Sequence, residues 1–154
     1  MFPVFNKHPD IPQLAGRLII YYGELEYDLC MCLAAALNES APSENSIRFV
    51  FSKRGEKARI DRTRKRIEDA YAQAGIGGEL ADTLDALDWC RQIRNQYAHT
   101  IWSLSTTSPA LVNLESFAKT ASSDEFLELP FVRVDSALLK AQGDYFVRTR
   151  ALSG

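Results

Sequence analysis

The chain has 154 residues, of which 46% are hydrophobic and 25% are charged, the balance of an ordinary globular protein. Its net charge of −2 gives the whole molecule no general attraction for nucleic acid or anionic membranes. No apolar run approaches the roughly 20 residues that a membrane-spanning helix needs, and residues 1–12 lack the pattern of a secretion signal. We therefore predict a cytoplasmic protein that does not enter a membrane.

The cysteines and histidines give little support for a metal site. Cys30 and Cys32 are two positions apart in a predicted helix, so their side chains point about 200° away from each other. The sequence contains no C-x-x-C, and its two histidines are far apart. We predict that the cysteines are small core residues and that the protein uses no metal and no cofactor.

The first half of the chain predicts an arm followed by long helices. Residues 1–13 contain three prolines and predict an irregular arm. Residues 14–38 carry apolar side chains three and four positions apart, which predicts the first long helix. A second helical region is predicted over residues 46–74, with Gly55 as a point where it can break.

The second half predicts a third helix over residues 79–104 and a last helix capped by Asp135. The residues between these helices predict an irregular segment with short extended stretches. The sum is an all-α antiparallel bundle of four to five helices, with a short irregular insertion before the C-terminal helix. We assign residues 14–154 to a single domain.

Positive charge is concentrated in residues 53–66, which hold 8 Lys and Arg against 2 Asp and Glu. The ordinary explanation for such a run is a solvated helix face. The concentration also indicates a phosphate-binding surface, because the rest of the chain is acidic. The candidate RNA-binding residues are Arg54, Lys57, Arg62, Arg64, Lys65 and Arg66.

The third predicted helix carries two arginines on its apolar face. At about 100° per residue, Arg91 and Arg94 share a face with apolar residues, whereas Asn95 and His99 share the neighbouring face with Asp88. The apolar residues of this face are Leu84, Leu87, Ala98 and Ile101.

An arginine beside a core needs an acidic partner or a polar cleft, because an unpaired buried charge costs several kcal/mol. Glu26, on the first long helix, is the preferred partner of Arg91 or Arg94. Two explanations remain open from the residues alone: a structural Arg–Glu pair beside a hydrogen-bonded histidine, or a functional site.

Residues 94–99, Arg-Asn-Gln-Tyr-Ala-His, resemble the R-x4-6-H motif of the HEPN (higher eukaryotes and prokaryotes nucleotide-binding) superfamily, in the form with Asn directly after Arg. The layout is similar too. An early helix carries an acid in a G-x-L-E context at residues 23–26, and the motif lies near the end of a later long helix. The similarity in the order of helices extends over residues 14–150, and the motif is its most specific part.

The resemblance implies a homodimer that pairs through the motif-bearing helices, so that two arginines and two histidines meet in one cleft. Many family members are metal-independent ribonucleases of toxin–antitoxin and other defence systems. Others keep the fold without the activity, among them mannitol-operon-repressor-like proteins. Two functions follow: an endoribonuclease of a toxin or defence system, which could have an antitoxin partner, or a non-catalytic homodimer that binds a nucleotide, nucleic acid or protein.

For the ribonuclease, the resemblance and the side-chain chemistry assign three catalytic residues. His99 is suited to act as general base or acid near neutral pH, and Arg94 offers a planar set of donors to phosphate oxygens. Asn95 can orient His99 or the phosphate from the same helix face. The supporting residues are Glu26, Asp88 and Arg91.

Overall fold

A computed structural model describes residues 3–103, 110–113 and 132–153, with side chains for residues 5–99 and 134–152. Within these ranges the predicted all-α helical-bundle class is confirmed. The described helices are α1 (Pro3–Lys7), α2 (Asp10–Ala36), α3 (Glu44–Phe51), α4 (Glu56–Gln73), α5 (Gly77–Ala98) and α6 (Ser136–Ser153). The described strands are β1 (Thr100–Ser103), β2 (Ala110–Asn113) and β3 (Val132–Arg133).

The N-terminal segment is more helical than the prediction of an irregular arm over residues 1–13. Helix α1 covers Pro3–Lys7, and α2 begins at Asp10 instead of Leu14. Pro12 lies in the first turn of α2, where the N–H that proline lacks would have no partner within the helix. Ile11 is only 2% exposed, so this first turn also contributes to the core.

A break divides the second predicted helical region into α3 and α4. Ser43 caps α3, because its Oγ accepts a hydrogen bond from the backbone N–H of Ser46 at 3.3 Å. Helix α4 follows Gly55, and just beyond its end Gly75 has a φ of 78°. This left-handed conformation favours glycine.

Helix α5 is shorter than predicted. It ends at Ala98, and Thr100–Ser103 forms a strand that pairs antiparallel with Ala110–Asn113. The β-branched and aromatic residues after His99 favour an extended chain, and a pairing partner is present. The assignment of Ile101 to the apolar face of a helix is therefore wrong.

The predicted insertion contributes two of the three strands. Strand β2 pairs antiparallel with β3, so the sheet order is β1-β2-β3. This agrees with the short extended stretches expected there. Residues 105–109 and 114–131 of the predicted irregular segment lie outside the described residues, as does residue 104 at the end of the predicted third helix.

Contacts group the chain into two compact units. The first comprises Met1–Ile20 and Ile93–Asp144, and the second comprises Tyr21–Gln92 and Tyr145–Gly154. Buried apolar residues of the first unit are Ile11, Ala15, Leu18, Ile93, Tyr97, Val134 and Leu139. Those of the second include Tyr22, Leu25, Leu29, Leu33, Val50, Ile60, Ile67, Leu84, Leu87 and Phe146.

The three cysteines are free and buried, in agreement with their predicted place in the core. Over the described ranges, none of the helices combines the length and the apolar character that crossing a bilayer requires.

Candidate functional site

The last turn of α5 carries the predicted catalytic residues. Ile93 and Tyr97, four positions apart, are buried and anchor this turn in the first unit. Arg94 and Asn95 are half-buried beside them, whereas His99 is exposed just past the last helical residue. The backbone N–H of His99 donates to the carbonyl of Asn95 at 3.2 Å, so helical hydrogen bonding extends to the histidine.

Arg94 and Asn95 are directly joined. Nη1 of Arg94 donates to Oδ1 of Asn95 at 2.8 Å. Because Oδ1 is the acceptor of this bond, the NH₂ group of Asn95 is the end that can donate to another oxygen. The turn thus places a cation and an amide donor side by side, one helical turn before the histidine.

The imidazole of His99 makes no hydrogen bond to another side chain within the described ranges. The residue as a whole is exposed. The backbone hydrogen bond to Asn95 therefore fixes the position of His99, whereas no hydrogen bond from a described side chain fixes the orientation of its ring.

Glu26 lies in the second unit and is 8% exposed. Nη1 of Arg59 donates to its two carboxylate oxygens at 2.9 and 3.0 Å. Nε of Arg59 also donates to the carbonyl of Lys53 at 2.8 Å, and Nη2 donates to that of Arg54 at 3.4 Å. Arg59 therefore connects α2 with the loop that precedes α4.

The predicted partners of Glu26 lie on α5, whereas the structure pairs Glu26 with Arg59 of α4. The available signal was the position of Arg59 directly before Ile60, which is 1% exposed. A residue beside such a position lies at the edge of a buried helix face, where a long charged side chain can reach a neighbouring helix.

Arg91 pairs with Asp88, and not with Glu26 as one of the two predicted alternatives had it. Nε of Arg91 donates to Oδ1 of Asp88 at 2.7 Å, and Nζ of Lys57 lies 3.8 Å from Oδ2. Burial raises the pKa of Asp88, but the hydrogen bond and charge of Arg91 and the charge of Lys57 outweigh it. The pKa of Asp88 is therefore below its ordinary value.

Two of the six predicted RNA-binding residues form ion pairs with acidic residues. Lys57 pairs with Asp61 at 2.8 Å, and Arg64 pairs with Asp85 at 2.6 Å. The charge of these two cations is thus largely balanced within the second unit.

The other four candidates have no acidic partner in the part of the chain that the structure describes. The guanidinium of Arg62 lies over the ring of Phe49, 4.1 Å from its centroid, and donates to Oγ of Ser52. Arg54, Lys65 and Arg66 are exposed.

No group of three or more His, Cys, Asp or Glu side chains that could hold a metal ion occurs among the described residues. No protein-family model, curated protein or solved structure matches the chain. The resemblance to the HEPN superfamily therefore depends on residues 94–99 and on the order of the helices.

Proposed function

We propose that the protein is a metal-independent endoribonuclease of HEPN type, a toxin or defence-system component. The observation that carries the proposal is the last turn of α5, where Arg94 is hydrogen-bonded to Asn95 and His99 is exposed. Residues of these types at this spacing offer a phosphate-binding cation and a group that transfers protons near neutral pH.

The chemistry is an attack of a ribose 2′-oxygen on the adjacent phosphorus. The 2′-hydroxyl loses its proton, a new P–O2′ bond forms, and the P–O5′ bond breaks as the 5′-oxygen takes up a proton. His99 serves one of the two proton transfers. Arg94 stabilises charge on the phosphate oxygens, and Asn95 donates to the phosphate or orients the imidazole.

A second copy of the chain would complete this site. In an in-line displacement the attacking 2′-oxygen and the leaving 5′-oxygen lie on opposite sides of the phosphorus, so one imidazole reaches only one of them, whereas two copies of His99 in one cleft supply both groups. The homodimer through α5 is therefore part of the proposal, as is an antitoxin partner that would cover the cleft.

The net charge of −2 favours the alternative, a non-catalytic homodimer that binds a nucleotide, nucleic acid or protein, because it gives the whole molecule no general attraction for RNA. In this alternative the motif binds a phosphate group without cleaving it.

A metal-free cleavage assay separates the two functions. Purified protein in EDTA is incubated with RNAs of varied sequence, and the products are tested for 2′,3′-cyclic phosphate ends. The wild type should cleave, and His99→Ala should lose about 10²–10⁴-fold in rate. Gln96→Ala is the matched control, because Gln96 is exposed in the same turn of α5. A requirement for a divalent metal, or activity that survives His99→Ala, would overturn the mechanism. Binding of RNA without cleavage would favour the alternative.

A further inference from the structure

The loop between α3 and α4 is held in place by Arg59. This side chain binds the carboxylate of Glu26, donates to the carbonyls of Lys53 and Arg54, and lies 4.9 Å from the ring centroid of Phe51. These contacts fix the backbone from which the exposed side chains of Lys53 and Arg54 project.

Three arginines form a row on the side of α4 that faces α3. Arg59, Arg62 and Arg66 follow one another at intervals of three and four, so they lie on one side of the helix. The contacts of Arg59 with Phe51 and of Arg62 with Phe49 show that this side faces α3.

The opposite side of α4 is different. It carries Lys57 and Arg64, whose charges are paired with Asp61 and Asp85, and Arg64 lines a cavity of about 360 Å³ together with Glu68. The net positive charge of residues 53–66 therefore lies mainly on the side of α4 that faces α3 and in the preceding loop.

We propose that the α3–α4 corner, formed by Phe49, Phe51, Lys53, Arg54, Arg62 and Arg66, is a binding site for single-stranded RNA, separate from the motif at the end of α5. Lys53, Arg54 and Arg66 contact phosphates, Arg62 on Phe49 stacks on a base, and Arg59 is a positioning residue. The site deepens the proposed ribonuclease function and rests on it for the choice of RNA as ligand.

The pairing of cations with aromatic rings supports a nucleic acid over an acidic peptide. Phosphates need only the positive charges, but bases gain from stacking on guanidinium planes and aromatic rings. The guanidinium of Arg62 already lies over the ring of Phe49, 4.1 Å from its centroid, and Phe51 is 41% exposed. A ligand that consists of charge alone would leave both surfaces unused.

The experiment measures binding in a protein that cannot cleave. Fluorescence anisotropy follows a labelled 12-nucleotide RNA in EDTA over a range of salt concentrations, with His99→Ala as the parent protein. Arg66→Ala should weaken binding severalfold and reduce the slope of log Kd against log salt by about 0.7 for each lost phosphate contact. Arg62→Lys keeps the charge but removes the stacking plane, so affinity should fall with little change in slope.

Arg148→Ala is the charge-matched control, because Arg148 is exposed on α6 without an acidic partner in the described ranges. It should leave Kd within about twofold of the parent, since it contributes no phosphate contact. Equal losses for Arg148→Ala and Arg66→Ala would overturn the site. So would displacement of RNA by poly-glutamate as readily as by unlabelled RNA, or no binding at all. Wild-type protein that binds RNA through this site but does not cleave it would count only against the proposed catalysis.

Discussion

Glu26 and Arg59, 33 positions apart in the chain, form an ion pair in which Nη1 of the arginine lies 2.9 and 3.0 Å from the two carboxylate oxygens. The side chains are 11% and 18% exposed. Because the same guanidinium also donates to the carbonyl of Lys53, the pair stabilises the loop before α4 as well as the contact between two helices.

The first prediction concerns the stability of this pair. Glu26→Ala should lower the free energy of unfolding by about 3 kcal/mol, because removing one partner leaves the charge of Arg59 mostly buried and uncompensated. Urea denaturation followed by circular dichroism measures the change.

Glu24→Ala is the control on the same helix. Glu24 pairs with Arg150, but their side chains are 46% and 56% exposed, so its loss should cost less than about 1 kcal/mol. Similar costs for Glu24→Ala and Glu26→Ala would mean that the Glu26 pair behaves as a surface pair.

The sequence was sufficient to place Glu26 beside the core, but not to identify Arg59. Helical periodicity tells which face of α2 is buried, and an acid at its edge needs a cation. Which cation pairs with this acid depends on which helix packs against that face of α2. That packing is determined by how all the helices together bury their apolar faces. Residues 53–66 hold 8 Lys and Arg, any of which could pair with Glu26, and the sequence does not rank them by their distance from it.

The second prediction concerns the thiols. Burial raises the pKa of Cys30 to about 11, with a further contribution from the charge of Glu26, and burial also raises the pKa of Cys90 to about 11. An unfolded thiol has a pKa of about 8.5. The stability that comes from keeping these thiols protonated in the folded state is fully present below that pKa and is lost as the pH rises toward 11.

Unfolding in urea at several pH values from 8 to 11 should show this loss. Burial also raises the pKa values of Tyr71 and Tyr97 to about 12, so these tyrosines add to the loss of stability at high pH. Cys90→Ala isolates part of the thiol contribution, because it should make stability depend less steeply on pH. Native protein should react slowly with a thiol reagent at pH 8, because the thiolate is the reactive form. Rapid reaction of all three cysteines would contradict the burial.

The third prediction concerns the start of α6. Oδ1 of Asp135 accepts a hydrogen bond from the backbone N–H of Leu138 at 2.7 Å, which satisfies a donor that the helix itself leaves unpaired. Asp135→Ala should therefore cost about 1 kcal/mol in thermal or urea unfolding. Asp144→Ala, at an exposed position inside the same helix, should be close to neutral. No difference between the two would argue against the cap.

This cap was predictable because it is a local feature, whereas the end of α5 was not. Both patterns, a helix face and an alternating strand, fit Thr100, Ile101 and Trp102 over so short a length. The strand forms because Ala110–Asn113 is available to pair with it, a contact beyond the reach of periodicity. As a consequence, His99 is the junction between a helix and a strand, and not a residue inside a helix.

The fourth prediction separates charge from geometry at the motif. Arg94→Ala should lower kcat about 10²–10³-fold through lost stabilisation of the developing charge. Arg94→Lys should recover little of this, because an ammonium lacks the planar fork and cannot bind Asn95 and a phosphate in the same way. Steady-state cleavage of a fluorogenic RNA gives kcat and KM for both variants. Near-complete recovery by lysine would indicate that Arg94 acts only as a point charge.

The fifth prediction tests whether two chains share the site. Light scattering at micromolar concentration should give a dimer, and inactive His99→Ala chains should inhibit the wild type when the two are co-refolded. In an equal mixture, random pairing leaves about a quarter of the dimers with two copies of His99 and about half with one. Because both proton transfers need an imidazole in the same cleft, activity should fall to about a quarter of that of the same total amount of wild type. The control is the same mixture before refolding, which should keep about half because the chains have not exchanged. A monomer, or about half of the activity after refolding, would show that each chain works with its own histidine alone.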